Sequence, residues 1–572
     1  MKKLLALLLA VVMIVGLVAC TPAVPSTGNN QGTGNNNNGN QNNDDNNSGS
    51  TGKVKFPLEE EVVFKLAIPS PGDFDYKKAL SANVLWQDLY EATNVRIEIV
   101  EIPPGDRVQG VSMAMMSGTI GDVIATSFLT EAAIIDLASA GNIIALNDYV
   151  NNAELMPNLN NRVFAQRPEA KGLWTCPDGN IYQIGSYNAN ISASLESSLW
   201  INKNWCAKAK EANPSITKSE DGIPTTFAEL EALLKYFADN DMNGNGIRND
   251  EVPYLCYKTS GYQSPEAILG MWGIPTKDGT MDNYVYVEDG QVIFAPASQG
   301  WKDWAKTLNK WYNQGIVYED VYADEGSSKG QLLYTGTGDS MVGMMTNDVA
   351  PTRNSSEYVS IVPPAAPGYT TRWYLHPGYM GGKQGFAVTK YCKEPEILMA
   401  WLDLFYTWDV GSRNYYGEKG SVWQEETADG KITQVDVDEE ENKAQQYTAG
   451  DKLWEIIPNL PYAFTQEDYD KHYQLNKTQL TAVDAYEKYK DIINDEVWPR
   501  PYIDPDDNDE IKEISGDLFT TVYEMRAKWL TGKGNVDAEW QTHINNITKV
   551  GYKDFVDILQ DAYDTFMEGQ GK

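Results

Sequence analysis

Glu61-Val62-Val63-Phe64-Lys65-Leu66-Ala67-Ile68, followed by Pro69-Ser70-Pro71-Gly72, is the stretch that sets the fold class. An apolar run of this length, closed by Pro and Gly, reads as a buried strand feeding a loop. Ala79 to Thr93 then shows helical spacing through Val84, Leu85, Leu89 and Tyr90. Asn94 to Ile102 reads as a second strand, Asp106 to Met116 as a second helix, and Gly121 to Ala125 as a third, short strand. Strand, helix, strand, helix, strand predicts an α/β body with a parallel sheet between helices. Ligands of such sheets sit beyond the carboxyl ends of the strands. That places Pro69 to Phe74, with Asp73, and the pair Ser127-Phe128 near a candidate site.

The pattern continues downstream. Ser198 to Asn202 reads as a strand. Thr226 and Glu229 form a capping box for a helix to Ala238, with Phe227, Leu230, Leu233, Leu234 and Phe237 on one face. Helices are expected over Trp301–Gln314 and Glu394–Trp408, and strands over Ser340–Met345 and Gly385–Thr389. From about Ile511 the chain reads as wholly helical. A globular stretch of about 520 residues exceeds what one core supports, so two or more lobes are expected.

Upstream of the body lies an address. Met1-Lys2-Lys3, the apolar run Leu4 to Val18, and then Ala19-Cys20 have the make-up of a secretory signal. The apolar run is shorter than the roughly 20 residues that span a bilayer. Leu17-Val18-Ala19-Cys20 resembles a bacterial lipobox, which implies cleavage after residue 19 and lipidation of Cys20. Residues 20–53 are dominated by Asn and Gly with no apolar period, so a disordered tether is expected. Its typical span is roughly 30 Å.

The net charge of −34 argues against nucleic acid as a partner, since phosphates are repelled. Beyond Cys20 there are Cys176, Cys206, Cys256 and Cys392, whose spacing matches no zinc pattern. Disulfides and free buried thiols are both compatible with them. No local signature marks a Ser-His-Asp or Cys-His catalytic set.

One segment carries sharp chemistry. Asp239-Asn240-Asp241-Met242-Asn243-Gly244-Asn245-Gly246-Ile247-Arg248-Asn249-Asp250-Glu251 places oxygen-bearing side chains at every second position, with glycines between. Calcium takes six to eight oxygens at about 2.3–2.6 Å, and such alternation brings side chains to one point. Two registers compete, one starting at Asp239 with Asp250 twelfth, the other starting at Asp241. With no histidine and no open position evident, such a Ca2+ would be structural.

This loop, placed between a helix and Val252-Pro253, resembles that of the extracellular solute-binding lipoproteins of sugar-importing ABC transporters. The resemblance is to the large subgroup with oligosaccharide- and alginate-binding members. Gly121-Asp122-Val123-Ile124, Gly141 to Tyr149, Asp178-Gly179-Asn180-Ile181-Tyr182, Asn202-Lys203-Asn204-Trp205 and the tail segments Trp529-Leu530-Thr531-Gly532 and Gln560 to Asp564 are similar to family segments, in order. Asn202 and Asn204 stand where the family has charged residues, and Asn249 is one residue extra before Asp250-Glu251. The resemblance selects the register Asp241, Asn243, Asn245, the Ile247 carbonyl, Asp250 and Glu251, with Asp239 flanking.

The resemblance implies a two-lobed periplasmic-binding-protein type II fold with a hinge and a helical C-terminal region. Lobe 1 is expected at about 54–180 plus parts of 330–430, and lobe 2 at about 200–330 plus 430–572. It implies a monomeric receptor, lipid-anchored on the outer face of the cytoplasmic membrane, that captures an oligosaccharide and hands it to permease subunits. A polysaccharide-active enzyme and a surface adhesin or sensor are the alternatives. Aromatic side chains meet sugar faces and polar groups meet the hydroxyl rim. Tyr187, Asn188, Trp272, Trp373, Tyr374, Tyr379 and Trp423 lie in loops rich in Gly, Pro and polar residues. They are ligand candidates together with Asp73, Ser127, Phe128, Arg372 and Glu418.

Overall fold

In β1 (Val62–Pro69), Phe64, Leu66, Ala67 and Ile68 are buried while Lys65 is exposed. The remaining strands of the two larger sheets are β2 (Val95–Ile102), β3 (Val123–Ala125), β4 (Ile184–Asn188), β5 (Ser198–Asn202), β6 (Val252–Leu255), β7 (Val342–Asn347), β8 (Tyr358–Ile361), β9 (Gly382–Val388) and β10 (Ala463–Phe464). The computed structural model describes residues 54–571 apart from 71–73, 104, 196, 248–249, 259–260, 277–283, 325, 327, 334–339, 349, 351–355 and 438–446. Cys20, the tether and Asp73 lie outside the described residues.

Two sheets organise the body. The first has six strands in the order β10-β4-β9-β3-β1-β2, and the second four in the order β8-β5-β7-β6. β1 is parallel to β2, from Val62 opposite Val95 to Pro69 opposite Ile102, and parallel to β3. β9 is antiparallel to both β3 and β4. The chain leaves the first sheet after β4, returns before β9 and leaves again after β10.

Each sheet has its own core. Phe64, Leu66, Trp174, Phe386, Trp401 and Ala463 pack on one face of the six-stranded sheet, and Ile124, Ile134 and Ala387 on the other. The four-stranded sheet shares its core with Trp205, Phe237, Trp301, Trp311 and the C-terminal helices. The expected boundary near residue 430 falls later. Leu453, Ile456, Ile457, Leu460 and Ala463 belong to the first core because β10 pairs with β4, Ala463 opposite Tyr187. β7 and β8, at 342–361, belong to the second sheet.

The elements largely follow their local chemistry. The helix expected at 79–93 is divided into Tyr76–Ala82 and Val84–Thr93. Asn83 between them is extended and buried, accepts from Trp86 N and donates to the Asp451 carbonyl. An Asn that caps a second helix ends the first. The helix expected at 394–408 ends at Asp403, and a new one starts after Thr407, whose hydroxyl accepts from Val410 N. The tail forms helices Pro505–Leu530, Val536–Lys549 and Tyr552–Gly569. It also reaches the first lobe: Lys512 Nζ lies 2.7 Å from Asp136 Oδ2, and Phe566 packs against the first core. Among the described residues no helix is long and apolar enough to cross a membrane. Cys176, Cys206, Cys256 and Cys392 are all free.

Candidate functional site

Glycine lets β4 and β9 close on each other. A Cβ on Gly185 would stand 1.6 Å from the Gly382 carbonyl oxygen, and one on Gly385 1.9 Å from that of Ile184. The pairing register shifts between Gly382 and Phe386, which marks a bulge. Lys383 and Gln384, in the shifted stretch, line a cavity of about 200 Å³ beside the segments that cross between the sheets. His376 and Pro377, ahead of β9, and Pro499 and Arg500, ahead of the tail, line it from the crossing side. Glu131, in the first turn of helix Glu131–Ser139, and Ser186 of β4 complete the polar wall.

The aromatic wall comes from the stretch before β10. Trp454 and Tyr462 line the cavity, half-buried. Tyr415 supports both from behind, with ring centroids at 5.5 Å and 4.9 Å, and Phe464 stacks on Tyr462 at 4.8 Å. Aromatic faces opposite hydrogen-bonding groups suit a sugar, which has an apolar ring face and a hydroxyl rim.

The cationic groups are held in place. Arg500 sits at φ +53°, between two prolines, a sparsely populated backbone for a non-glycine residue. Its Nη2 donates to Tyr374 OH at 2.9 Å and its Nη1 stands 3.0 Å from His376 Nε2. Lys383 Nζ donates to the Arg500 carbonyl, and lies 3.6 Å from Glu131 Oε1 and 4.5 Å from the Tyr502 ring centroid. Burial pushes the lysine below its ordinary pKa, while Glu131 pulls it back up.

A second cavity of about 310 Å³ opens at the carboxyl end of β1, lined by Ser70, Phe74, Tyr76, Arg107, Asp451 and Glu455. Pro69, Ser70 and Phe74, from the end of β1 and the loop after it, are among its lining residues. Burial pushes the Asp451 carboxyl up to about 6. The stretch 451–459 borders both cavities, with Asp451 and Glu455 on one and Trp454 and Asn459 on the other.

The ligand candidates scatter. Tyr187 is buried in the first core, and Trp272 and Trp373 in the second, Trp272 edge-on to Phe227 and Trp373 edge-on to Tyr489. These three pack the protein rather than line either cavity. Asn188 accepts from Tyr469 OH at 2.8 Å. Arg372 pairs with Glu288 and donates to Asn494 Oδ1. Glu418 accepts from Arg413 Nε at 2.8 Å, and Trp423 is buried under Lys452 Nζ, 4.2 Å from its ring centroid. Ser127 and Phe128 follow β3, half-buried, with Phe128 against the core. Tyr374 touches the cavity's Arg500, and the Tyr379 side chain lies outside the described residues. Sequence reasoning missed Trp454, Tyr462, Lys383, Arg500 and Glu131. The run Trp498-Pro499-Arg500-Pro501-Tyr502 meets the same Pro-and-aromatic criterion and could have flagged Arg500.

The oxygen-rich loop folds around Asp241. Asp241 Oδ1 accepts from Gly244 N at 2.6 Å and Oδ2 from Gly246 N at 2.9 Å. The Asn243 and Asn245 amides reach Asp250 Oδ2 at 3.5 Å and 2.6 Å. Asp250 Oδ1 is buried without a hydrogen-bond partner, the mark of a group aimed at something further. Glu251 Oε1 accepts from Met242 N at 2.7 Å, while burial raises the Glu251 pKa. Asp239 instead pairs with Lys235 one helical turn back. Among the described residues no group of three or more His, Cys, Asp or Glu is arranged to hold a metal ion. Arg248 and Asn249, within the loop, lie outside the described residues.

The fold has relatives. The fructooligosaccharide ABC transporter substrate-binding protein FusA of Streptococcus pneumoniae serotype 4 (strain ATCC BAA-334 / TIGR4) is 25% identical over 535 residues, covering 90% of this chain and 92% of that protein. The structure of S. pneumoniae FusA in complex with kestose aligns with a TM-score of 0.71 at 21% identity, over 89% of this chain and 100% of that one. An EF-hand mutant of FusA in complex with fructo-nystose aligns with a TM-score of 0.69 at 20% identity, over 89% of this chain and 100% of that one. An HMO-binding ABC-transporter-associated solute-binding protein from Bifidobacterium longum infantis ATCC 15697 gives 0.71 at 21% identity, over 88% and 99%. The two sheets, joined by crossing segments, have the architecture of two-lobed solute-binding proteins. The family model for bacterial extracellular solute-binding proteins matches residues 75–409, more than half of the chain, and to that family the chain belongs.

Proposed function

We propose that this chain is the receptor of an ABC importer for short oligosaccharides, tethered by lipidated Cys20 outside the cytoplasmic membrane. The observation that carries the reading is the cavity at the crossing segments, lined by Trp454 and Tyr462 together with Lys383, Gln384, Ser186 and Arg500. A site built on the segments that join two lobes couples binding to lobe closure. The relationship to FusA supports the carbohydrate class and the importer. Family membership supports binding without turnover, and delivery in this reading requires permease subunits as partners. In this reading Asp241, Asn243, Asn245, the Ile247 carbonyl, Asp250 and Glu251 hold a structural calcium ion. The unpartnered Asp250 oxygen supports it, and the Asp239–Lys235 pair favours the register starting at Asp241.

The test is calorimetry and thermal shift of the full chain against a panel of oligosaccharides of two to five units. Binding by a few of them, with the recovered glycan unchanged in length, is expected. Shortened glycan would replace the receptor with an enzyme. Capture of intact polysaccharide with no soluble ligand would favour an adhesin.

A further inference from the structure

A third cavity, of about 240 Å³, adjoins the first along the same crossing segment. Pro499 and Arg500 line the first cavity, Pro501 and Tyr502 line this one, and Leu173 borders both. One wall belongs to the first lobe, through Gly172, Thr175 and Cys176. The other is the end of helix Tyr552–Gly569, through Ala562, Thr565 and Gly569. That helix is rooted in the second core by Phe555, Ile558, Leu559 and Tyr563. The partition between the two cavities is fastened to the first lobe. Lys383 Nζ donates to the Arg500 carbonyl and lies 4.5 Å from the Tyr502 ring centroid, and Gln183 Nε2 donates to Tyr502 OH at 2.6 Å. Lys383 is in β9 and Gln183 directly precedes β4, both strands of the first sheet. The next residue, Ile503, already packs against the second core. The joint between the lobes therefore lies at the far end of the partition, with a cavity on either face. Protein interiors are normally filled to close-packed density, so an unfilled space at a joint is room for movement. Rigid lobes that turn about one segment approach on one side of it and separate on the other.

From this arrangement we propose that the third cavity is the back of the hinge: it widens as the sugar cavity closes, and its filling sets sugar affinity without touching the sugar. The proposal rests on the oligosaccharide-receptor reading above and deepens it by naming how that site is regulated. Bulk placed in the back cavity holds its walls apart and so favours the closed cleft. A ligand that binds the closed state then binds more tightly by the amount of that bias. Cys176 is a built-in reporter of the motion. It lines the cavity and is only 3% exposed, whereas Cys206 and Cys256 lie inside the second core.

The experiment uses the full chain, purified in detergent, with calorimetry and with maleimide labelling read at each cysteine by mass spectrometry. The probe is the tightest-binding member of a panel of fructo-, malto- and milk-type oligosaccharides. Saturating sugar is expected to speed the labelling of Cys176 severalfold while leaving Cys206 and Cys256 unlabelled. A Cβ on Gly569 meets no atom within 4 Å, so Gly569→Trp should fold normally and project into open space. It is expected to tighten sugar binding about fivefold, chiefly through slower release, with the melting temperature of the sugar-free protein nearly unchanged. Thr565→Trp should act in the same direction, and Gly569→Ala, which adds no bulk, should leave affinity alone. Cys176 labelling that is unchanged or slowed by sugar, or two Trp variants that bind sugar no more tightly than wild type, would overturn the hinge-back proposal and leave the receptor reading standing. No binding by any sugar would overturn both.

Discussion

At the residue scale, local chemistry survived folding wherever its partners lay within one turn. Glu229 was legible as a capping-box residue, and in the structure its carboxylate accepts from Thr225 N, Thr225 Oγ1, Thr226 N and Lys218 N. Those bonds hold its pKa down at about 2, against the burial that would raise it. The folded pKa is thus below the ordinary value, so the stabilisation is present above about pH 4.5 and is lost as pH falls towards 2. Glu229→Gln should lower stability by about 1–2 kcal/mol at neutral pH, read from the urea midpoint, and flatten the acid limb of the stability profile. Sugar contact was less legible. Trp272 and Trp373 sit in Gly- and Pro-rich stretches yet are core, because what packs over a ring is chosen by distant chain. Trp454 lies in a short helix and was passed over, yet lines the cavity. Trp454→Ala should weaken oligosaccharide binding about tenfold while leaving the melting temperature nearly unchanged.

At the element scale, the Asp241 loop and the buried end of helix Pro395–Asp403 carry the clearest consequences. Calcium should raise the melting temperature and a chelator lower it, and Asp241→Ala should abolish that response; a wild-type chain indifferent to both would remove calcium from the account. The alternation of oxygen-bearing residues was readable because the ligands of such a loop lie within a dozen residues. Asp403 was not readable as functional. Its carboxylate accepts from Asn158 N, Asn158 Nδ2 and Leu159 N and so holds a turn far away in sequence. Burial nevertheless raises its pKa to about 6. Between its ordinary value near 4 and about 6 the folded chain holds a proton that the unfolded chain has released. This group's contribution to stability therefore falls as pH rises across that window and is level above it. Hydrogen-ion titration of folding between pH 4 and 6 should show that slope, and Asp403→Asn should remove it.

At the scale of the whole molecule, the C-terminal helices fasten the second lobe's core and then touch the first. Arg526 and Glu266 are paired with 4% and 0% of their side chains exposed, and Arg526 also donates to Tyr284 OH and Tyr322 OH. Removing one partner leaves a buried charge uncompensated, so Glu266→Ala should cost about 3–5 kcal/mol by urea unfolding. Lys512 with Asp136, and Phe566 against the first core, tie the tail to the other lobe. At this scale the sequence reading placed residues 453–463 in the second lobe, whereas they pack in the first core. The deciding contact, β10 beside β4, is a two-residue pairing with no periodicity of its own.

The strand and helix alternation from Val62 to Ala125, the capped helix after Thr226, the oxygen-rich loop and the helical tail are all set by interactions across a few residues. Spacing and side-chain type are enough for these, and they were legible before any coordinates. Only the tertiary structure decided which strands share a sheet and which aromatics face open space. It alone decided that Lys383, 117 positions before Arg500, would donate to its carbonyl. Such contacts depend on the area buried and the charges left over when two lobes close around crossing segments, and those quantities belong to the packed chain.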